Sequence, residues 1–278
     1  MIYGTRRGTR RDMRRDMRRY PRLIRLFIKN SLLIELEYRV NFIGLMLLSL
    51  VDATWSIGGA LLFYSHRATI GGWTFDQALV VIGLYFLAYG FVDVVLRPNI
   101  DDMVEAIRTG TMDFVLVKPV NSQVHATLRH YRFQKLSSVA VGLAIIVYAL
   151  IRLHQVPGVG QVLLFILLCG GAMVLLYSAM TMLATLSFWL VDVSNIEEFI
   201  VGFLEAGRFP SDAFPELVRG LLTFVVPIAF ITTVPAEVLL GRLTPPFVLY
   251  GWIIALALLA ASIGLWRVAL RHYTSASS

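Results

Sequence analysis

The sequence is dominated by long apolar blocks that charged residues do not interrupt. Between Arg152 and Asp192 there is no Asp, Glu, Lys or Arg, although about 20 apolar residues are enough for one helical crossing of a bilayer. The apolar residues stand in blocks instead of alternating with polar ones, as half-buried strands would require. These blocks predict an all-α membrane protein with six transmembrane helices.

Hydropathy places five of the six spans directly. Their predicted bounds are Val40–Tyr64, Gln77–Leu96, Leu136–Ile151, Val162–Val191 and Phe247–Leu265. Composition agrees, because only 15% of the residues are charged, against roughly a quarter in soluble domains. The single cysteine, Cys169, lies in the fourth span. It excludes a disulfide within the chain and is typical of a small buried hydrophobe.

The fifth span allows two interpretations, and both give six crossings. Hydropathy alone places it at Leu217–Leu239, despite two internal prolines. The alternative places it at Ile196–Phe209 and makes Ser211–Leu240 a pair of short helices that dip into the outer leaflet.

The distribution of Lys and Arg predicts the orientation. Twelve of the 25 basic residues precede Val40, and six more lie in the polar loop 97–135. Two follow the last span, while at most five fall on the opposite side. Because basic loops stay in the cytoplasm, we expect both termini on the cytoplasmic side of the cell membrane.

The N-terminal region combines a basic arm, residues 1–20, with a predicted amphipathic helix, Pro21–Arg39. Arg22, Arg25 and Lys29 recur along one side of that helix, which is typical of a helix lying in the headgroup layer. The arm would bind anionic lipid, at about 1 kcal/mol per basic residue, or it is a disordered tail that only fixes orientation. We expect no nucleic acid partner, since no aromatic platform accompanies the arm.

The loop 97–135 contains the most distinctive local pattern. Asn99 is suited to cap the start of a helix, and Asp101 and Asp102 would then occupy its first turn, where the helix dipole favours acids. Gly110 can adopt the left-handed conformation that ends a helix. An apolar stripe is formed by Ile100, Met103, Val104 and Ile107, as in an amphipathic helix. The pattern predicts a short capped helix, which either contacts a partner or packs on lipid.

Three segments carry a resemblance to a known family. The segments are Gly110–Val120, Ala206–Glu237 and Arg271–Ser278. They resemble the permeases of type-2 exporters among the ATP-binding-cassette (ABC) transporters, in the branch whose six-span permease is a separate chain. The resemblance covers the chain from residue 21 onward, as one permease domain, 21–278, and does not include the arm.

The resemblance implies a coupling helix that docks on a cytoplasmic ATPase. The residues expected at this contact are Asn99, Asp101, Asp102, Met103, Glu105, Ala106, Arg108, Thr109, Gly110, Asp113, Lys118 and Pro119. A second, shorter contact would involve Asp192, Ser194, Asn195 and Glu197. The resemblance also implies a dimer, with a second copy or a similar chain, around a substrate path.

Nothing in the sequence predicts catalysis or a bound cofactor on this chain. A phosphate-binding P-loop needs a lysine preceded by glycine, but Lys29, Lys118 and Lys135 follow Ile, Val and Gln. His125 and His130 do not form a metal-ligand pattern with carboxylates. ATP and Mg²⁺ are therefore expected on the partner ATPase.

Two acids within the predicted spans need partners, because an ionised carboxylate costs about 2.5–3.5 kcal/mol at a helix centre. Asp93 is expected to pair with Arg97, one turn further on. Asp52 would line the substrate path or a dimer contact, or form a structural hydrogen bond. Besides the permease, the sequence leaves open an ion-gradient-driven transporter with Asp52 as its ion site, and a membrane scaffold without transport.

Overall fold

The described residues confirm an all-α membrane protein. A computed structural model of the chain describes residues 23–33, 39–190, 196–242 and 245–273. Five of its helices are long and apolar enough to cross a membrane, or six if one bent helix pair counts as a span. The basic arm, residues 1–20, lies outside the described residues.

The helices follow one another with short connections. In chain order they are α1 (residues 23–33), α2 (Arg39–Ser65), α3 (Phe75–Phe91), α4 (Arg97–Arg108), α5 (Asp113–Leu116), α6 (Ser122–Thr127), α7 (Leu136–Arg152), α8 (Val159–Thr185), α9 (Ile196–Ala206), α10 (Glu216–Gly220), α11 (Ile228–Ile231), α12 (Thr233–Leu239) and α13 (Pro245–His272). Five-residue π-helical segments occupy Val92–Leu96 and Leu221–Val225. The five long spans agree with the predicted ones to within a few residues, except that α8 ends at Thr185, before the predicted end at Val191, and α13 runs past Leu265 to His272.

Helix α3 is the centre of the bundle. Its start is fixed by a capping box in which Thr74 and Gln77 exchange side-chain-to-backbone hydrogen bonds of 3.4 and 3.1 Å, which satisfies two N–H groups that the helix leaves open. Most of its residues are buried, including Tyr85. It packs closely on α7 at Gly142, where an added Cβ would lie 2.6 Å from the carbonyl oxygen of Gly83.

Helices α3 and α4 form one continuous helical rod through the π-helical segment Val92–Leu96. The prediction that Asn99 caps a separate helix is therefore wrong. The residue before α4 is itself helical, and Asn99 lies within the helix. The apolar run of span two keeps the backbone helical past Leu96, so no open N–H groups remain for a cap.

The structure supports the second interpretation of span five. Trp73 donates its indole N–H to Asp212 over 3.0 Å, and Gln155 donates to the carbonyl of Leu240 over 3.0 Å. Residues 73 and 155 lie in the two loops at the end of the bundle opposite α4, which we call the opposite end. The segment Ser211–Leu240 thus enters and leaves at the same end.

The geometry of the segment agrees with a re-entrant pair of helices. Glu216–Val225 and Ile228–Leu239 meet at an angle of 69°. That interpretation assigns the crossing to the region of α9, which is not among the helices long and apolar enough to cross a membrane and ends at Ala206 instead of the predicted Phe209. Eleven residues extend about 16 Å, which is shorter than the roughly 30 Å hydrocarbon core.

Helix α1 occupies part of the predicted amphipathic helix and packs on the loop that carries α6. Phe27 lies 5.5 Å from the ring of His125, and Ser31 accepts a 3.2 Å hydrogen bond from the N–H of Tyr131. Arg25 and Lys29 are exposed. This arrangement fits a helix at the membrane surface.

Candidate functional site

Helix α4 separates a buried apolar side from an exposed charged side. Ile100 and Met103 are 4% and 2% exposed, and they pack against the protein together with Val104 and Ile107. The opposite side is exposed and consists of Asp101, Asp102, Glu105, Arg108 and Thr109. Of the α4 residues expected to contact an ATPase, the structure therefore buries Asn99 and Met103, half-buries Ala106, and exposes the charged ones.

The end of α4 is closed as predicted. Gly110 has a φ of 72°, a conformation that costs glycine least. Its N–H donates to the carbonyl of Ile107 over 3.3 Å, and the N–H of Met112 donates to the carbonyl of Ala106 over 3.0 Å. The hydroxyl of Tyr273, just past α13, donates to the carbonyl of Gly110 over 3.4 Å. The tip of the rod is thus attached to the last span.

Asn99 connects α4 by hydrogen bonds to the loop segment that leads into α7. Its Oδ1 accepts from the N–H groups of Arg129 and His130 at 2.7 and 2.8 Å, while its Nδ2 donates to the carbonyls of His130 and Val95 at 2.7 and 2.6 Å. The residue is 1% exposed. Asn99 therefore joins two segments of the loop through a fully bonded amide.

Ion pairs reinforce this junction on the surface. Asp102 contacts the imidazole of His130 and the guanidinium of Arg129, and Asp101 lies 3.4 Å from Arg132. These groups are half exposed, so each pair adds little stability. Further along, Arg108 pairs with Glu105 over 2.7 Å with both side chains more than half exposed.

The loop beyond α4 exposes two apolar side chains that sequence reasoning missed. Phe114 is 74% exposed and Val117 is 81% exposed, next to the exposed Lys118 and Pro119. Asp113 is half-buried. Their position inside the segment that carries the family resemblance was the available signal. These two apolar side chains lie beside the charged face of α4 and belong to the same candidate surface.

His125 lies beneath this tip. Lys118 donates a 2.9 Å hydrogen bond to its Nε2, which identifies the imidazole as a neutral acceptor. Burial, followed by the nearby charge of Lys118, lowers the pKa of His125 to about 4. A protonated His125 would therefore disturb the contacts of α6.

Helix α6 is bound to two long helices. Trp266 of α13 donates to the hydroxyl of Ser122 over 3.1 Å, and Gln123 donates to Ser262 of α13 over 3.1 Å. The hydroxyls of Thr127 and of Tyr177 in α8 lie 3.0 Å apart. The loop 97–135 is thus bonded to the bundle at several points and is not a free linker.

The predicted second contact lies largely outside the described part of the chain. Asp192, Ser194 and Asn195 are not among the described residues, and of Glu197 only the backbone, within α9, is described.

Asp52 lies against the partly buried Arg208, which belongs to the region where the sequence left span five ambiguous. Arg208 reaches Asp52 at 3.3 Å, donates to Ser56 at 2.8 Å and to the Tyr85 hydroxyl at 2.9 Å, and lies 3.4 Å from Glu205. The cluster joins α2, α3 and the turn after α9. The Asp52 side chain is still 36% exposed, so the side that does not face Arg208 is accessible to a partner chain or to a substrate.

The predicted ion pair between Asp93 and Arg97 is confirmed, and Lys135 is a second partner of Asp93. Arg97 contacts it at 2.8 Å and Lys135 at 3.4 Å, while Asp93 itself is 2% exposed. The contact between Asp93 and Lys135 joins the π-helical segment to the start of α7.

Comparison with known proteins identifies a matching family. The family model described as "ABC-2 family transporter protein" matches residues 50–277, which is most of the chain. No curated protein and no solved structure matches this chain.

Proposed function

The chain belongs to the ABC-2 family of transporter proteins, and we propose that this permease is the membrane subunit of an exporter driven by a separate cytoplasmic ATPase. Helix α4 carries this proposal, because it extends the central span as a continuous rod and presents a charged face to solvent. ATP and Mg²⁺ would be held by the partner. The chain would reside in the cell membrane, with both termini and α4 in the cytoplasm.

The rod would transmit the motion of the ATPase to the spans. A push on α4 acts on α3 through the π-helical segment Val92–Leu96, and α3 packs on α7, α8 and α9. Bonds of the tip to Tyr273 and of α6 to Trp266 and Tyr177 distribute the same push to α13 and α8. Movement of the loop would therefore change the packing of four spans together.

A second permease copy, or a similar chain, would complete the path. Helix α2 supports this part of the proposal, because only 17% of its span is buried and its outward face is apolar. That face forms an open groove lined by Leu47, Leu50, Val51, Thr54, Trp55, Gly58, Gly59, Leu61 and Leu62. Asp52 lies on the same helix, where it would face the path or the other chain.

A site-specific cross-link tests the contact with the ATPase. A photoreactive residue at Glu105 or at Thr109, both exposed on α4, should form an adduct with a nucleotide-binding chain in native membranes. The matched control carries the same photoreactive residue at Glu216, which is exposed at the opposite end. Peptide sequencing of the adduct identifies the partner, and the charge reversal Arg108→Glu should lower the yield several-fold.

Two outcomes would overturn the proposal. The first is an equal adduct yield from positions 105 and 216. The second is transport by the purified chain alone, driven by a pH step without ATP, as the ion-gradient hypothesis requires. Asp52 is ion-paired with Arg208, whose charge is permanent at any physiological pH. This pairing gives the ion-gradient hypothesis no support.

A further inference from the structure

An apolar groove lies on the face of the bundle where α7 and α8 flank α3. Helix α3 forms its floor, and the two walls are not in close contact with each other. Its volume is about 240 Å³, several times the roughly 30 Å³ of a water molecule. It is lined by Leu84, Leu87, Ala88, Gly90, Phe91, Val94, Val95, Leu136, Val139, Cys169, Ala172, Met173, Leu176 and Ile231.

The groove is open on its outer side and contains almost no polar surface. Leu136 and Met173 line it and are 42% and 41% exposed, so it is accessible from outside the bundle. Water does not fill apolar cavities of this kind, and an empty space loses the dispersion contacts of its lining. At the depth of the spans, hydrocarbon is the available occupant.

Two basic residues lie close in sequence to lining residues at the α4 end of the groove, although neither lines it. Lys135 directly precedes Leu136, and Arg97 follows Val95 by two residues. Both contact the carboxylate of Asp93, which leaves one net positive charge at this end. Lys135 is 33% exposed and Arg97 is 22% exposed. A cationic end beside an apolar groove is complementary to a phospholipid that carries a net negative charge.

We propose that this groove binds one acyl chain of an anionic phospholipid, with the phosphate of the headgroup beside Lys135 and Arg97. The bound chain would contact Phe91, Val94 and Val95, at the π-helical segment that joins α3 to α4. The lipid would therefore occupy the junction between the central span and the coupling helix. This site goes beyond the proposed function and does not depend on the identity of an ATPase.

Photoreactive lipids test the site on the full chain in proteoliposomes. Phosphatidylglycerol and phosphatidylcholine, each with a diazirine in the acyl chain, are incorporated separately at the same low fraction. Labelled peptides are then mapped by mass spectrometry. We expect the peptide around Met173 to be labelled several times more by phosphatidylglycerol than by phosphatidylcholine. Lys135→Gln should abolish this preference for the anionic headgroup.

Two variants of α8 provide the matched comparison. Met173→Trp fills the groove and should lower labelling there at least fivefold. Leu167→Trp makes the same change at an exposed position that does not line the groove, and it should leave groove labelling unchanged. Unchanged labelling around Leu256, an exposed residue of α13, reports that each variant is folded. Equal labelling by both lipids, or an equal effect of the two tryptophans, would overturn the site.

Discussion

The buried amide of Asn99 offers the sharpest test of how the loop 97–135 is held. Asn99→Leu keeps a side chain of similar size and removes all four hydrogen bonds to the loop and to Val95. The N–H groups of Arg129 and His130 then have no acceptor in the junction. If Asn99 joins two segments of the loop, the damage should appear at those two amides and not at the start of α4.

The magnitude follows from the number of groups left without a partner. Each buried, unsatisfied polar group costs about 1–3 kcal/mol, so the two amides together would cost about 2–6 kcal/mol. His130 is 42% exposed, which lets water replace part of the lost bonding. We therefore expect the lower end, about 2 kcal/mol, which corresponds to about 30-fold in an equilibrium constant.

Amide hydrogen exchange measures this change locally. Exchange at Arg129 and His130 should accelerate about 30-fold in the variant, while the amides of residues 101–108 keep their protection. Glu105→Gln is the control, because Glu105 lies on the exposed side of the same helix and should leave all of these rates unchanged. Faster exchange at residues 101 and 102 alone would instead identify Asn99 as a cap of its own helix and refute the reasoning.

Three further predictions follow from other contacts. Arg208→Ala should lower the free energy of unfolding by about 2–3 kcal/mol. The loss is smaller than for breaking a fully buried ion pair, because Asp52 is 36% exposed. Thermal unfolding in detergent should show partial recovery of stability when Asp52→Ala is added. Gly142→Ala should destabilise the protein by about 1–3 kcal/mol, since its Cβ would meet backbone. Gly59→Ala has open space around it and should not destabilise the protein in the same assay, because alanine is favoured over glycine inside a helix. The pKa of His125 is about 4 in the folded state and about 6.5 in the unfolded state. The thermal unfolding midpoint should therefore fall as pH drops from 6.5 towards 4 and stay constant above 6.5. His125→Gln should remove this pH dependence.

Local sequence rules were sufficient for much of the fold. Continuous apolar blocks gave the five long spans, and the glycine rule identified the end of α4 at Gly110. The pair of Asp93 and Arg97 could be predicted because both residues lie on one helix, one turn apart. These features depend only on neighbours along the chain.

Features that depend on distant residues could not be predicted in this way. Asn99 matches a capping pattern, but its partners lie about 30 residues away in the loop before α7. Arg208 meets Asp52 across more than 150 residues of chain. Glycines of similar local sequence also differ in their contacts: Gly58 and Gly59 face open space, while Gly142 makes a close helix contact. Helix packing decides which glycine is needed, and the local sequence does not contain that information.

The acids of the described spans suggest how energy has to enter this protein. Asp93 is held by two cations, and Asp52 is held by Arg208. An ion-carrying site needs a carboxylate that is free to bind the ion, whereas both of these carboxylates already contact cationic side chains. Separating α2 from Arg208 would leave the Asp52 carboxylate without its partner inside a span, at a cost of about 2.5–3.5 kcal/mol. Helix α2 and the turn that carries Arg208 should therefore move as one body, and in the proposed exporter the work that moves them would enter through α4.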